Sequence, residues 1–322
     1  MTMMMKKQGW RGRIAALLCS AMAGLTALAT GGAAAQSVDC PPKAAAPAAA
    51  AHDGRDRGLL WRLERGGRVS YLYGTLHVGR PAWAGLGKKL RDAFDASDLL
   101  AVELDVSNAE LMQAFARALP VLPEFRPALA ERIAAAAVAA CGDPKALAAL
   151  PPLLRVVTLA LLPTLREGLD PAFGSEPLLL KAARDAQRPV VSLEDPVVQA
   201  QAITPQPPSD LEVHLLDLLD QMERGRTTVV MLRLVKAWED GNAAELADYA
   251  RWCECLDTER DRAWFSRIND QRNGELASRI DALHSAGQRV FAAIGALHMT
   301  GPEALPRLLA ARGFVVQPVA LQ

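Results

Sequence analysis

From residue 59 onward, short apolar runs of strand length alternate with longer stretches of helical period. Residues 59–64 and 69–74 are alternating or apolar runs joined by Arg65-Gly66-Gly67-Arg68, and a glycine pair between two such runs predicts a β-hairpin. Residues 86–96 have helical period. Residues 98–105 (DLLAVELD) are almost continuously apolar, as expected of a strand buried on both faces. From Ser107 to about residue 283 the chain reads mainly as helix, and Ser107 with Glu110 has the spacing of a capping box. Helices are predicted over 128–140, 145–150, 210–224, 228–240 and about 257–283, the last interrupted at Asn273-Gly274. One strand, 189–193, enters this region after a helix running from Pro171 to about residue 187. Strand 289–294, helix 302–312 and strand 314–319 end the chain. Strands at both ends predict an α/β fold, a small central sheet with a large helical insert (about 107–283) forming a cap or subdomain.

Composition agrees and narrows the class. Hydrophobic residues are 51% of the 322, enough for a sizeable core, while aromatics at 5% argue against a β-sandwich or propeller. Lys+Arg and Asp+Glu are 36 each and no basic block appears, so no nucleic-acid partner is expected. Residues 1–13 are basic, residues 14–30 apolar, and Ala33-Ala34-Ala35 precedes Gln36. That order predicts a signal peptide over 1–35, and hence an exported protein, periplasmic or secreted, with no stable membrane anchor after cleavage. Residues 36–58 read as an Ala/Pro-rich linker, and 59–320 as the folded unit. Cys40, Cys141, Cys253 and Cys255 remain after cleavage. An even number in an oxidising compartment predicts at least one disulfide involving Cys253 or Cys255, with three connectivities open and a stapling role.

Two passages share one local design. Gly74-Thr75-Leu76-His77 and Gly295-Ala296-Leu297-His298 each leave an apolar strand through glycine and bring a histidine three residues later. Glycine lets the backbone turn without a Cβ clash, and the crevice above strand ends is where α/β proteins place their sites. Glu103, in a buried apolar strand, is costly unless paired, hydrogen-bonded or bound to metal. His77, Glu103 and His298 together match a hydrolytic metal site with an open position for water.

These anchors, with Val102-Glu103-Leu104-Asp105, Gly168-Leu169-Asp170, Leu193-Glu194 followed by Gln199, and Trp238 with Gly241, resemble the TraB/GumN family, whose wider relatives include the Tiki metalloproteases. The resemblance runs from about residue 60 to residue 319. It implies a divalent-metal hydrolase using Mn, Co or Zn, with His77, Glu103 and His298 as ligands, Glu103 also activating water, and a peptide or protein as one candidate substrate. It further implies an Arg-Asn pair on the late helix, matched by Arg272-Asn273, with Arg272 stabilising an oxyanion or a substrate carboxylate. Gly74, Gly295, Asp170, Glu194 and Asn273 are expected to shape the site, with Asp170 also suited to capping the helix that Pro171 opens. A non-catalytic peptide-binding or inhibitory protein using the same crevice is the competing expectation.

Overall fold

The structure is a computed structural model that describes residues 40–41 and 52–321; the expected signal peptide lies outside the described residues. Six strands form one sheet in the order β4-β3-β5-β2-β1-β6: β1 (Leu59–Arg65), β2 (Arg68–Thr75), β3 (Leu99–Val102), β4 (Val190–Ser192), β5 (Val290–Gly295) and β6 (Val315–Val319). The hairpin β1–β2 turns on Gly66 and Gly67, both at positive φ (59° and 73°), the backbone a two-residue turn needs to match strand twist. β4, β3, β5 and β2 are mutually parallel neighbours, and β1 is antiparallel to both β2 and β6.

The parallel strands are buried on both faces. Leu100, Ala101, Val290, Phe291, Ala292, Ala293 and Ile294 lie in the sheet-centred core with helices over them, as parallel sheets require. Residues 109–285 supply the helical insert, with β4 embedded in it. Part of it packs on itself: Leu129, Ile133, Leu153, Leu159, Leu215 and Leu219 belong to a second apolar cluster. Among the described residues no helix is long and apolar enough to cross a membrane.

Several boundaries differ from the pattern reading for identifiable reasons. The helix Ala109–Ala118 is capped by Asn108, whose side chain accepts from the Glu110 and Leu111 amides; Ser107 instead donates to Asp105 Oδ1 at 2.6 Å. The expected break at Asn273-Gly274 falls at Asn269 (φ −114°, ψ −77°), between the helices Glu259–Ile268 and Asp270–Ser285. The end of the segment read as a linker lies against the body. Asp56 accepts from the Lys89 and Leu90 amides at the start of Lys88–Asp95, and Arg57 is buried beside Asp53 and Glu239.

Among the described residues two disulfides are present, Cys40–Cys141 and Cys253–Cys255. The expected bridge is therefore borne out, with the connectivity now resolved.

Candidate functional site

The carboxyl ends of β3, β5, β2 and β4 meet along one edge of the sheet, and each delivers a candidate residue there. Glu103 follows β3, Gly295 ends β5, His77 lies two residues beyond β2, and Glu194 two beyond β4. Neighbouring parallel strands open such a crevice without further invention.

Glu103 is the centre. Its Oε1 accepts the Gly295 amide at 2.8 Å, and its Oε2 is held by the Arg272 guanidinium. A Cβ on Gly295 would stand 3.3 Å from Glu103 Oε1 and 3.5 Å from His298 Cδ2, so the glycine provides the close approach. Arg272 also clasps Glu194 with two donors, at 2.7 and 2.6 Å, and caps the Ile268 carbonyl at 2.7 Å. One guanidinium thus spans two buried carboxylates. Burial opposes ionisation of Glu103, but the charge that His298 gains in acid, the Arg272 guanidinium and the Gly295 amide outweigh it and hold its carboxyl below the usual range. Burial dominates at Glu194 and pushes its carboxyl up.

His298 sits in the one-turn segment Ala296–Met299 that β5 runs into. Its Nδ1 meets Asn273 Oδ1 at 2.5 Å, while Asn273 Nδ2 donates to the His298 and Glu303 carbonyls. With the amide donors so used, Asn273 Oδ1 is an acceptor, so the proton lies on Nδ1 and the Nε2 lone pair faces Glu103 Oε2 at 4.0 Å. Burial keeps this imidazole neutral, its pKa down at about 4.

His77 is placed differently. Its side chain is 61% exposed, and Nδ1 rests 2.9 Å from Glu176 Oε2, on the first turn of Ser175–Asp185. The Glu176 charge raises its pKa to about 9, and Glu103 and Arg272 lie within electrostatic reach. The loop carrying it is wedged against residues 170–175. Gly79 and Asp170 exchange both backbone hydrogen bonds, the Ser175 hydroxyl accepts the Leu76 amide at 2.6 Å, and a Cβ on Gly174 would stand 2.7 Å from the His77 carbonyl oxygen.

Asp170 therefore acts through its backbone and as a cap, its carboxylate accepting the Ala172 amide; it does not enter the crevice. Gly74 serves the strand end, where its carbonyl accepts the Trp238 indole N–H at 2.7 Å and a Cβ would press on Ala296. Pattern reading missed Glu176 and Thr75. The former is joined to His77 across 99 residues, a contact only the fold creates. The latter pairs with Gly295 in register and holds a buried hydroxyl without a hydrogen-bond partner.

The donor chemistry fits a divalent metal. Each imidazole has one nitrogen oriented by a neighbouring oxygen, as ligating histidines do, His298 is neutral, and Glu103 is an ionised oxygen donor. His77, whose charged form Glu176 favours, must give up a proton to ligate. Among the described residues, no three His, Cys, Asp or Glu side chains stand close enough to enclose an ion as they are placed.

No solved structure shows significant similarity to the chain. Two curated relatives, the uncharacterized proteins YbaP of Shigella flexneri and of Escherichia coli K12, are each 27% identical over 252 residues, covering 76% of this chain and 89% of theirs. A model of the TraB/PrgY/gumN family matches residues 59–318, the sheet but for the last residue of β6 together with its helical insert and the crevice residues, and the chain belongs to that family.

Proposed function

We propose that this chain is an exported metal-dependent hydrolase acting on peptides, with His77, Glu103 and His298 holding one Mn, Co or Zn ion. The observation that carries this reading is the His298–Glu103 pair: a neutral imidazole with its Nε2 lone pair presented 4.0 Å from an ionised carboxylate. A bound divalent ion would lower the pKa of a water and polarise the scissile carbonyl. The protein's part is orientation and charge. Asn273 fixes the tautomer and angle of His298, and Glu176 holds the angle of His77, which loses a proton on ligation. Glu103 is the group placed to take a proton from water, with the Gly295 amide and Arg272 holding its two oxygens. Arg272 carries its charge at all working pH and is held against Glu103, where it would stabilise an oxyanion formed in the crevice. Disulfides persist in oxidising compartments, and the two bridges support a periplasmic or secreted setting.

The test is metal content and thermal melting of the oxidised protein beside His77→Ala and His298→Ala, with a peptide-hydrolysis assay on Glu103→Gln. Loss of most bound metal in both histidine variants, and of hydrolysis in Glu103→Gln, is expected. Unchanged metal content in both folded histidine variants overturns the metal site; peptide binding without cleavage then supports the non-catalytic reading.

A further inference from the structure

The two disulfides do different things. Cys40–Cys141 joins residues 101 apart in sequence and ties the chain ahead of the sheet to the helical insert. Cys253–Cys255 encloses one residue, Glu254. Chain-entropy stabilisation grows with the length of chain enclosed, so the second bridge holds together nothing that the backbone does not already hold.

Its surroundings favour exchange instead. The bridge lies in the connection between the helices Tyr249–Trp252 and Glu259–Ile268. Cys253 is buried, Cys255 is half-buried, and Glu254, Asp257 and Thr258 around them are exposed. Of the two residues, Cys255 is the one that solvent reaches and Cys253 the one that is covered. The Cys255 amide N–H donates to Cys253 Sγ at 3.2 Å, placing a donor where negative charge appears if Cys253 leaves as thiolate. Tyr249 Oη lies 3.5 Å from Cys255 Sγ, and burial pushes that phenol up to about 12, so it keeps a proton to donate. Arg226 pairs with Glu254 beside the ring. Glu254 itself is held at φ 49°, a left-handed backbone that a non-glycine residue adopts at a cost. Opening the ring releases it.

We infer that Cys253–Cys255 is a thiol–disulfide exchange site, separate from the strand-end crevice, that accepts electrons from small or flexible dithiols. The steps balance without another oxidant. A substrate thiolate attacks Cys255 Sγ, forming the mixed disulfide as the Cys255–Cys253 bond breaks and its electron pair goes to Cys253 Sγ. The second substrate thiolate attacks the substrate sulfur of that mixed disulfide, releasing Cys255 as thiolate. The substrate leaves as a disulfide, and the two protons from its thiols end on Cys253 and Cys255. Exchange of this kind depends on an accessible sulfur and a stabilised leaving thiolate.

The experiment equilibrates the folded, oxidised protein in glutathione buffers, alkylates free thiols, and quantifies each cysteine peptide by mass spectrometry. At the ratio that half-opens Cys253–Cys255, Cys40–Cys141 should be at least tenfold less reduced. Incubation with a dithiol peptide should oxidise about one equivalent of peptide per protein, and none with Cys253→Ser/Cys255→Ser. In Cys253→Ser, Cys255 should capture glutathione as a mixed disulfide, whereas the lone Cys253 of Cys255→Ser should not react while folded. Should the single variants fail to fold, the wild-type measurements decide. Simultaneous opening of both bridges, opening of Cys253–Cys255 only with global unfolding, or no oxidation of the peptide overturns the inference.

Discussion

Arg272 is the residue on which the crevice balances. It donates to Glu103 and to both oxygens of Glu194, all three side chains being buried. A buried charge triad is a weak source of stability when intact, yet losing one partner strands the others. Arg272→Ala leaves two carboxylates unpaired, so a loss of about 3–5 kcal/mol is expected from chemical denaturation at pH 7. The sign of the pH dependence follows from Glu103. Its folded pKa is depressed, so its contribution is complete above the unfolded value near 4.5 and fades as pH falls toward about 2. The gap between wild type and Arg272→Ala should therefore be widest near neutrality and narrow below about pH 4.5. A gap that is constant from pH 7 to pH 3 would show that Arg272 matters through packing alone. Conservative replacement is informative too. Arg272→Lys keeps the charge and loses the fork that reaches Glu103 and Glu194 together, so most of the loss should persist.

At the scale of elements, the parts legible in the sequence were those with local causes. Gly66-Gly67 announces a hairpin because a two-residue turn needs two positive φ values, and both are present. The apolar run around Glu103 announces a buried strand, and the two Gly-x-x-His passages do leave adjacent parallel strands. What was not legible depends on partners far along the chain. Gly274 looks like a helix interruption, yet it faces solvent within Asp270–Ser285 while Arg272 and Asn273 beside it are tied to Glu103, Glu194 and His298. Those bonds override a propensity penalty of about 1 kcal/mol. Likewise, no local pattern joins Gly79 to residues 170–173. A Cβ on Gly79 would stand 2.0 Å from the Phe173 carbonyl oxygen, so Gly79→Ala must push two backbone segments apart. A cost of about 1–3 kcal/mol is expected, with faster hydrogen exchange at the Gly79 and Asp170 amides; unchanged protection there would refute the wedge. His284 gives a second test. Its ring lies between Ser70 Oγ at 2.8 Å and the Arg65 carbonyl at 3.1 Å, joining the helix Asp270–Ser285 to the β1–β2 hairpin. Burial lowers its pKa in the folded state. The unfolded chain then takes up the proton first, so stability falls as pH drops below about 6.5, by at most about 1.4 kcal/mol per pH unit for this one group. His284→Gln should flatten part of that slope in a melting series from pH 7.5 to 5.5.

For the whole molecule, the sheet-centred core and the second apolar cluster within the insert raise the question of what couples them. The insert is held at its base by contacts that reach the crevice: Trp238 to the Gly74 carbonyl, Arg272 to Glu103, and Ser175 to the Leu76 amide. Cys40–Cys141 adds a covalent tie, anchoring the chain that precedes the sheet to the turn after the helix Pro127–Ala139. In the chain-entropy account, a bridge closing roughly 100 residues is worth about 4.7 kcal/mol, with native-state strain subtracting from that. Removing it by Cys40→Ser/Cys141→Ser should therefore lower stability by about 2–5 kcal/mol. Removing Cys253–Cys255 by the matching double serine variant should cost far less, because it encloses only Glu254. Denaturant titration of the two double variants, under the same oxidising conditions, compares them directly. The slope of free energy against denaturant carries the second half of the test. Without Cys40–Cys141 the unfolded chain expands and exposes more surface, so the slope should steepen; without Cys253–Cys255 it should stay at the wild-type value. Equal losses of stability in the two variants would contradict this division of labour, and would mean that the short bridge braces the connection between the helices Tyr249–Trp252 and Glu259–Ile268.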